Sequence, residues 1–511
     1  MRKQMTKVVN AVAIRQHIIH GGFMKFANIS MLLAIGLTFT GCDKTKTDKP
    51  NEVSIARFLW TEKLTPAEAQ IKVINQLGEP VQNAQILIGD AQGSPFRNNF
   101  FKTDSAGRAV IPTEWSGPAS VTVDAAGYIR QTLLNVTPGD LTLKMNNAFL
   151  AQRPEVRGQV THLPVVNGDK LVDFALVMPA VSKAEMLNFD IGQVISPYND
   201  TLTAAGQTSD IPSNVSLPTQ NENYFINVTL DKPVYRLKVP NLGAKKFVAI
   251  RGRFVFKTVV GELRNGKRFD ELINYFSILG GSTRETVLTG ATTNLDIPGT
   301  DMEFKNTLAV NSANTAADEL MLVLATNEMN GSMIPTDVKR TTNGQATKLQ
   351  SMVGKPAFVV SFLKKQSEFM SQAPGADRMS ASLLPFTNGA AQRLLPLIGN
   401  PTIAAAGNYV ITMPAAPTTA GINAIAVTAS ISDLVETQDA GKTILIPNRK
   451  WDIIGLGWTE QISLPKWPLD NSTARKRVEV NYIGSTSAKV TRLDNSLIEN
   501  ATHITHASTD F

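Results

Sequence analysis

The sequence predicts a mainly β protein made of tandem antiparallel β-sandwich modules, and three observations lead there. Short runs along most of the chain alternate apolar and polar residues with a period of two, and clusters of Gly, Pro, Asn and Ser separate them at strand-length intervals. Charged residues make up only 18% of the chain, below the ~25% usual in soluble domains, while Thr, Asn and Ser are plentiful. Finally, Cys42 is the only cysteine in 511 residues, so no intrachain disulfide can form and each core has to rest on apolar burial.

The chain opens on an export address. Met1 to Phe23 carries Arg2, Lys3, Lys7 and Arg15 without an acidic residue, ahead of a second candidate initiator at Met24. Either this is a long basic n-region or the true start is Met24; on both readings residues 1–41 are expected to be removed. After Met24 a lone charge at Lys25 precedes an apolar run ending near Phe39, and small residues lead up to Cys42. The run is about a dozen residues, short of the ~20 that a helix needs to cross a bilayer, so a cleaved signal is expected and not a span. The segment Leu37-Thr38-Phe39-Thr40-Gly41-Cys42 resembles the lipobox of bacterial lipoproteins, with Phe39 where that family more often has Leu. The resemblance implies cleavage before Cys42, lipid such as palmitate on that residue, and attachment to a membrane of the bacterial cell envelope. Each methylene so buried contributes ~0.8 kcal/mol. Asp43 resembles the inner-membrane retention signal of enterobacterial lipoproteins, a rule that does not hold in every bacterium, so inner versus outer membrane stays open.

The formal charge of +7 belongs mainly to this address. Arg2, Lys3, Lys7, Arg15 and Lys25 all precede Cys42, leaving 45 basic against 43 acidic residues after it. A nearly neutral exported chain gives no electrostatic reason to expect nucleic acid as a partner. The 470 residues after Gly41 suffice for about three domains at ~150 residues each, placed at 67–147, 148–300 and 301–511 with a C-terminal tail.

Residues 42–66 are expected to be the lipidated cysteine and a tether: DKTKTDKPN over 43–51 is short and polar, and 53–59 are apolar enough for a strand or a short helix. In 67–147, Ala69, Ile71 and Val73 alternate as a first strand, Gly78-Glu79-Pro80 marks a turn, and Ala84, Ile86 and Ile88 make a second strand in a hairpin-like pairing. In Thr103-Asp104-Ser105-Ala106-Gly107 the carboxylate can accept backbone N–H groups and the glycine can take a positive φ. Val121, Val123, Gly127 and Tyr128 close the set. The order Gly78-Glu79-Pro80-Val81, Ala84, Thr103-Asp104, Gly107, Ala126-Gly127-Tyr128 resembles the carboxypeptidase-regulatory-like, transthyretin-like β-sandwich; a generic immunoglobulin-like (Ig-like) sandwich is the alternative. The resemblance covers about 70 residues and implies a non-catalytic module, either an accessory to peptidases or a stalk and binding unit of surface proteins. So small a sandwich buries only ~60% of its chain surface, and docking onto the next domain is expected.

A second β-domain is expected over 148–300, with strands at 156–161, 171–178, 224–230 and 235–239. The polar stretch 196–223, punctuated by Pro197, Pro212 and Pro218, has a loop length that usually binds something or is disordered, and it is the first place to look for a contact surface. Over 247–260, Val248, Ile250, Phe254, Phe256 and Val260 face one side and Arg251, Arg253 and Lys257 the other, as in a strand with one wet face. Arg251-Gly252-Arg253-Phe254-Val255-Phe256 is similar to one RRM strand, but Arg253 stands where that motif wants an aromatic. A solvated face, or contact with anionic glycan or lipid headgroups, fits the residues better. Asn265-Gly266 signals a turn, and 269–279 reads as one amphipathic helix through Phe269, Leu272, Ile273 and Phe276.

A third β-domain follows, with strands at 357–363, 409–413, 425–431, 443–446, 451–464 and 478–483. Ile425, Val427, Ala429 and Ile431 make an apolar face opposite Ala424, Ala426, Thr428 and Ser430.

Catalytic equipment is sparse. A peptidase of the family that names the first module needs a zinc-binding His-x-x-Glu, and none of His17, His20, His162, His503 or His506 is followed three residues later by glutamate. His503 and His506 could bind metal as a pair on a helix turn, but on a strand they point to opposite faces. Gly441-Lys442-Thr443 is similar to the end of a P-loop, yet Glu436 stands where the opening glycine belongs. Asp452 and Glu460 near Trp451, Trp458 and Trp467 form the one acid and aromatic group to inspect, as core packing or as a sugar-stacking platform. The expected function is therefore a lipid-anchored, non-enzymatic envelope protein acting in adhesion, scaffolding or ligand binding, with Cys42 as its membrane attachment and no cofactor, metal or catalytic residue. The partner expected besides the membrane is glycan or another envelope protein. The alternative is a carbohydrate-active enzyme or glycan-binding accessory that uses Trp451, Trp458 and Trp467.

Overall fold

The computed structural model describes residues 59–60 and, apart from internal stretches of which 90–99, 163–170, 188–198 and 213–224 are the longest, residues 70–511. The export address, Cys42 and the tether over 43–51 lie outside the described residues. Among the described residues strand dominates, at 58% against 6% helix, so the β alternation is realised as an all-β architecture of several packed sheets.

Strands β1 (Leu59–Trp60), β2 (Gln70–Ile74), β3 (Gln85–Ile88), β4 (Phe101–Lys102), β5 (Arg108–Val110), β6 (Ala119–Asp124), β7 (Arg130–Val136) and β8 (Leu141–Lys144) build the first sandwich. One layer runs β1-β8-β2-β5 and the other β7-β6-β3-β4. Alternate residues point inward, so Ile71, Val73, Leu141 and Leu143 pack against Ile86, Ile88, Val121, Val123 and Leu133. The Asp104 turn forms as expected: its Oδ1 accepts the N–H groups of Ala106 at 2.8 Å and Arg108 at 2.9 Å. Gly107 sits at φ +72°, where an added Cβ would lie 2.4 Å from the Val73 carbonyl oxygen. The hairpin expected between the first two strands is corrected, because β2 and β3 belong to opposite layers. Val81 N–H still bonds to Val73 O at 3.0 Å, but the Thr103 hydroxyl then donates to Val81 O at 2.6 Å and accepts from Ala84 N–H at 2.8 Å, drawing β3 across to the other layer.

The next elements are β9 (Glu155–Thr161), β10 (Val172–Pro179), α1 (Lys183–Leu187), β11 (Asn199–Ala204), β12 (Gln207–Pro212), β13 (Phe225–Asn227), β14 (Val234–Lys238), β15 (Gly243–Phe254), α2 (Phe256–Arg264), α3 (Phe269–Leu272), β16 (Phe276–Leu288), β17 (Thr293–Asn294), β18 (Ile297–Pro298) and β19 (Met302–Glu303). A five-stranded sheet, β13-β10-β15-β16-β19, faces a smaller one, β14-β9-β17, across Val156, Val160, Val177, Phe247 and Ala249. Three expectations change here. The strand expected over 247–260 stops at Phe254 and Lys257 lies in α2, because Phe254, Val259 and Leu272 close a small core with Phe174 that a straight strand would leave open. Its wet face is wet only at one end: Phe247 and Ala249 are fully buried, while Arg253 pairs with Asp173 directly opposite on β10, Nη2 to Oδ2 3.1 Å. The helix expected over 269–279 covers only α3, passes through a 3₁₀ turn at Ile273–Tyr275 and becomes β16, the apolar spacing at 272, 273 and 276 suiting either period. Within the polar stretch 196–223, β11 and β12 form a hairpin.

The last segment supplies β20 (Asn306–Asn311), β21 (Glu319–Met329), β22 (Ser332–Thr341), β23 (Ala346–Ser351), β24 (Ala357–Lys365), β25 (Met379–Pro385), β26 (Thr402–Ala404), β27 (Tyr409–Thr412), β28 (Asn423–Asp439), β29 (Lys442–Leu456), β30 (Gln461–Leu464), β31 (Lys476–Ser485), α4 (Ser496–Asn500) and β32 (His503–Asp510). The strand expected over 451–464 is two, β29 and β30, divided at Gly457 with φ +65°. A twelve-stranded sheet runs β22-β21-β24-β25-β32-β31-β28-β29-β7-β6-β3-β4. Its last four strands are the second layer of the first sandwich, joined by parallel pairing of β29 with β7 from Trp451↔Arg130 to Ile454↔Leu133. Ile454 enters the core of the first sandwich.

The large sheet is covered on both faces. Leu320, Leu322, Leu324, Val360 and Phe362 pack against Met178, Val248 and Ile250 of the five-stranded sheet. On the opposite face, Val323 and Val359 pack against Leu308 and Leu349 of the β20-β23 ribbon. Farther along that opposite face, Val427, Ala429, Ile431, Val478 and Tyr482 pack against Ile411, Ile462 and Leu464 of the β26-β27-β30 sheet. Ala426, Thr428 and Ser430, opposite the apolar side of β28, are buried too.

Candidate functional site

Two groups meet in the middle of the large sheet, and the sequence singled out members of the first. The first is the tryptophan group. Trp451 and Trp467 are each 1% exposed, and the Arg130 guanidinium lies between their rings, 4.5 Å from one centroid and 4.6 Å from the other. Trp451 Nε1–H donates to Thr132 Oγ1 at 2.8 Å. Each ring prefers a cation over its face, and a guanidinium is planar enough to serve two at once. Trp458 stands apart, edge-on to Tyr482 and donating to Ile483 O at 3.0 Å. Burial, with Glu460 nearby, pushes the Tyr482 hydroxyl up to about 12. Glu460 itself is exposed. The three rings therefore do not share an open platform: two clamp an arginine from the first sandwich, and the third belongs to the core beneath β31.

The second group lies on the other face of the same strands. Register places Gln131 of β7 beside Asp452 of β29, Asp452 beside Ser430 of β28, Ser430 beside Glu479 of β31, and Glu479 beside Ser508 of β32. Residues in register leave a sheet on the same side, so these five side chains form one polar row across five strands. Ser430 Oγ donates to Glu479 Oε2 at 3.4 Å, and Asp452 Oδ1 accepts from Arg449 Nε. Burial pushes the Asp452 carboxyl up to about 6 against the pull of Arg449, with Glu479 adding to the rise. Burial likewise raises Glu479, opposed by His506.

The two C-terminal histidines play different parts. His503 and His506 lie on β32 and engage separate partners, as strand alternation requires. His503 Nε2–H donates to Arg393 O at 3.2 Å while Nδ1 accepts from Thr502 Oγ1 at 2.8 Å, and burial holds the ring down to about 4, so it is neutral. His506 presents Nε2 to Asp377 Oδ2 at 3.1 Å and Nδ1 to Asn481 Oδ1 at 2.9 Å. Two oxygen acceptors are what an imidazolium satisfies. Although burial opposes the charge, Asp377 more than offsets it and the ring titrates above its ordinary value. Asp377 stays well below the carboxylate range against its own burial, through His506 and the Ser508 hydroxyl, which donates to its Oδ1 at 2.8 Å. Among the described residues, no three His, Cys, Asp or Glu side chains gather as a metal site.

Chemically, these groups bind one another. Sequence reasoning found Trp451, Asp452, Trp467 and His506 but missed Arg130, Gln131, Asp377 and Glu479. Val478-Glu479-Val480-Asn481-Tyr482 alternates as a half-wet strand does, and only the covering layers turn its polar side inward. Lys442 and Thr443 lie in β29, and Arg251 is half-buried beside the Arg253–Asp173 pair.

No family model matches the chain, and no curated protein matches it. Among solved structures, the Bacillus anthracis TIE protein is 12% identical at a TM-score of 0.15, over 64% of this chain and 49% of that one. This chain thus spans about half the length of that protein. GBS52, the minor pilin of Streptococcus agalactiae, is 10% identical at a TM-score of 0.15, over 45% of this chain and 95% of its own. Likenesses this slight carry neither protein's role over to this chain.

Proposed function

We propose that this chain is a lipid-anchored, non-enzymatic protein of the bacterial cell envelope, tethered through Cys42, whose β-sandwich modules act in adhesion, envelope scaffolding or ligand binding. The observation that carries this reading is the parallel pairing of β7 with β29, which makes the first sandwich and the C-terminal strands one hydrogen-bonded sheet. Modules joined by ordinary interfaces move against each other by default. A shared sheet removes that freedom, as a stiff unit displayed from a membrane needs. Along the row Glu479 accepts from Ser430 of the neighbouring strand and Asp452 from Arg449 of its own, contacts of a structural kind. The Leu37 to Cys42 segment, similar to a lipobox, supports the anchor.

The test is palmitate-analogue labelling and membrane fractionation of the full chain beside Cys42→Ala. Label and membrane retention are expected in the parent and lost in the variant; retention of both by Cys42→Ala overturns the anchor. A glycan array probed with the chain after Cys42 tests the other half. Binding that Trp458→Ala abolishes would favour the glycan-binding alternative over a scaffold.

A further inference from the structure

The polar row crosses the seam between two parts of the chain, and one atom in it is unsatisfied. Gln131 is 4% exposed, and its Oε1 is buried without a hydrogen-bond partner among the described residues. Its register partner across the parallel β7/β29 pair is Asp452, 2% exposed. Such partners are ~5 Å apart along the sheet and project to the same side. An ionised carboxylate only accepts hydrogen bonds, so beside an amide oxygen it leaves that oxygen orphaned; a protonated one has an O–H to donate.

We propose that Asp452 and Gln131 form a proton-operated latch: protonated Asp452 donates a hydrogen bond to Gln131 Oε1 and fastens β29 to β7, and its ionisation releases that bond and loosens the seam. The latch lies within the stiff unit of the proposed function but does not depend on the lipid anchor or on any ligand. The charges around it are Arg449 on the same strand, Glu479 and Arg477 on β31, and His506 with Asp377 beyond them. On β7 the facing group is the neutral Gln131, since Arg130 points the other way, between the tryptophan rings. The layer packed against β7 holds the buried Lys144. Burial keeps the Asp452 carboxyl protonated to about pH 6 in the folded chain, whereas an unfolded aspartate ionises near ~3.9. The folded state therefore binds the proton more tightly, and the latch weakens as pH rises through about 6.

Amide hydrogen exchange over Arg130 to Leu133, expressed as protection factors at pH 5 and pH 8, reads the latch in the full chain. The expected result is protection about tenfold lower at pH 8 than at pH 5. Asp452→Asn donates through its amide at any pH and should keep equal protection at both. Gln131→Leu, which has no acceptor to satisfy, should also lose the difference, and it serves if the asparagine variant does not fold. Glu479→Gln removes a charge that adds to the rise of Asp452, so it should lower the ratio but keep protection weaker at pH 8 than at pH 5. Flat protection in the parent chain, or an unchanged ratio in Asp452→Asn or Gln131→Leu, overturns the proposal. Loss of the ratio in Glu479→Gln alone also overturns it, by moving the proton to Glu479.

Discussion

Replacing Arg130 by alanine should cost about 3–5 kcal/mol, a figure that follows from what the side chain touches. Its guanidinium has an indole on each side at 4.5 and 4.6 Å, and the side chain is 12% exposed. A desolvated cation over an aromatic face is worth ~1–2 kcal/mol, so two faces give ~2–4 kcal/mol. The 3.6 Å contact with Asp124, whose side chain is 23% exposed, adds under ~1 kcal/mol, and the lost stem leaves two large rings without a filler. Arg130→Lys keeps the charge but not the plane and should lose ~1–2 kcal/mol. The assay is urea unfolding of residues 43–511 followed by tryptophan emission. Because a multi-module chain need not unfold in two states, the decisive quantity is a double-mutant cycle between Arg130→Ala and Trp467→Leu. A coupling of ~1–2 kcal/mol is expected. A coupling below ~0.3 kcal/mol, or equal losses for the lysine and alanine variants, would refute the claim that stacking holds the seam.

Three further outcomes are expected. Gly107→Ala must place a Cβ 2.4 Å from Val73 O at a φ of +72°, so it should lower the melting temperature by a loss above ~1 kcal/mol, while Gly117→Ala, with nothing within 4 Å, serves as the control. Thr103→Val removes a hydroxyl that satisfies both Val81 O and Ala84 N–H; two stranded backbone groups should cost ~2–4 kcal/mol in denaturant melts. His506→Gln changes the pH profile of stability. Because His506 titrates above its ordinary value when folded, its contribution is complete below ~6.5, the unfolded value, and disappears as pH rises through the higher folded value. The parent should therefore lose stability on the alkaline side with a slope that the variant lacks. Parallel profiles would show that His506 is not the charged partner of Asp377.

What the sequence made legible was local. The Asp104 turn, the strands around Ile71, Val121, Val156 and Val478, and the break of β structure by Gly and Pro depend on neighbours a few residues away. The hairpin of β2 with β3 was misread because a turn between alternating strands does not say whether they share a layer; that is decided by Thr103, about twenty residues on. The nearness of Asp452 to Trp451 was visible in the chain, but their partners Gln131 and Arg130 come from another module. Thr428, Ser430, Glu479 and Asn481 look like a wet face because alternation reports which residues share a side, not what covers it.

The β7/β29 pairing also sets an order of events. A chain synthesised from its N-terminus presents β7 long before β29, with 314 residues between Val136 and Trp451. Until then β7 is the outer rail of a small, marginal sandwich, the kind of bare margin on which strangers polymerise. Folding of this protein therefore includes a waiting period, and slowing synthesis of its last third should yield aggregates seeded by its first.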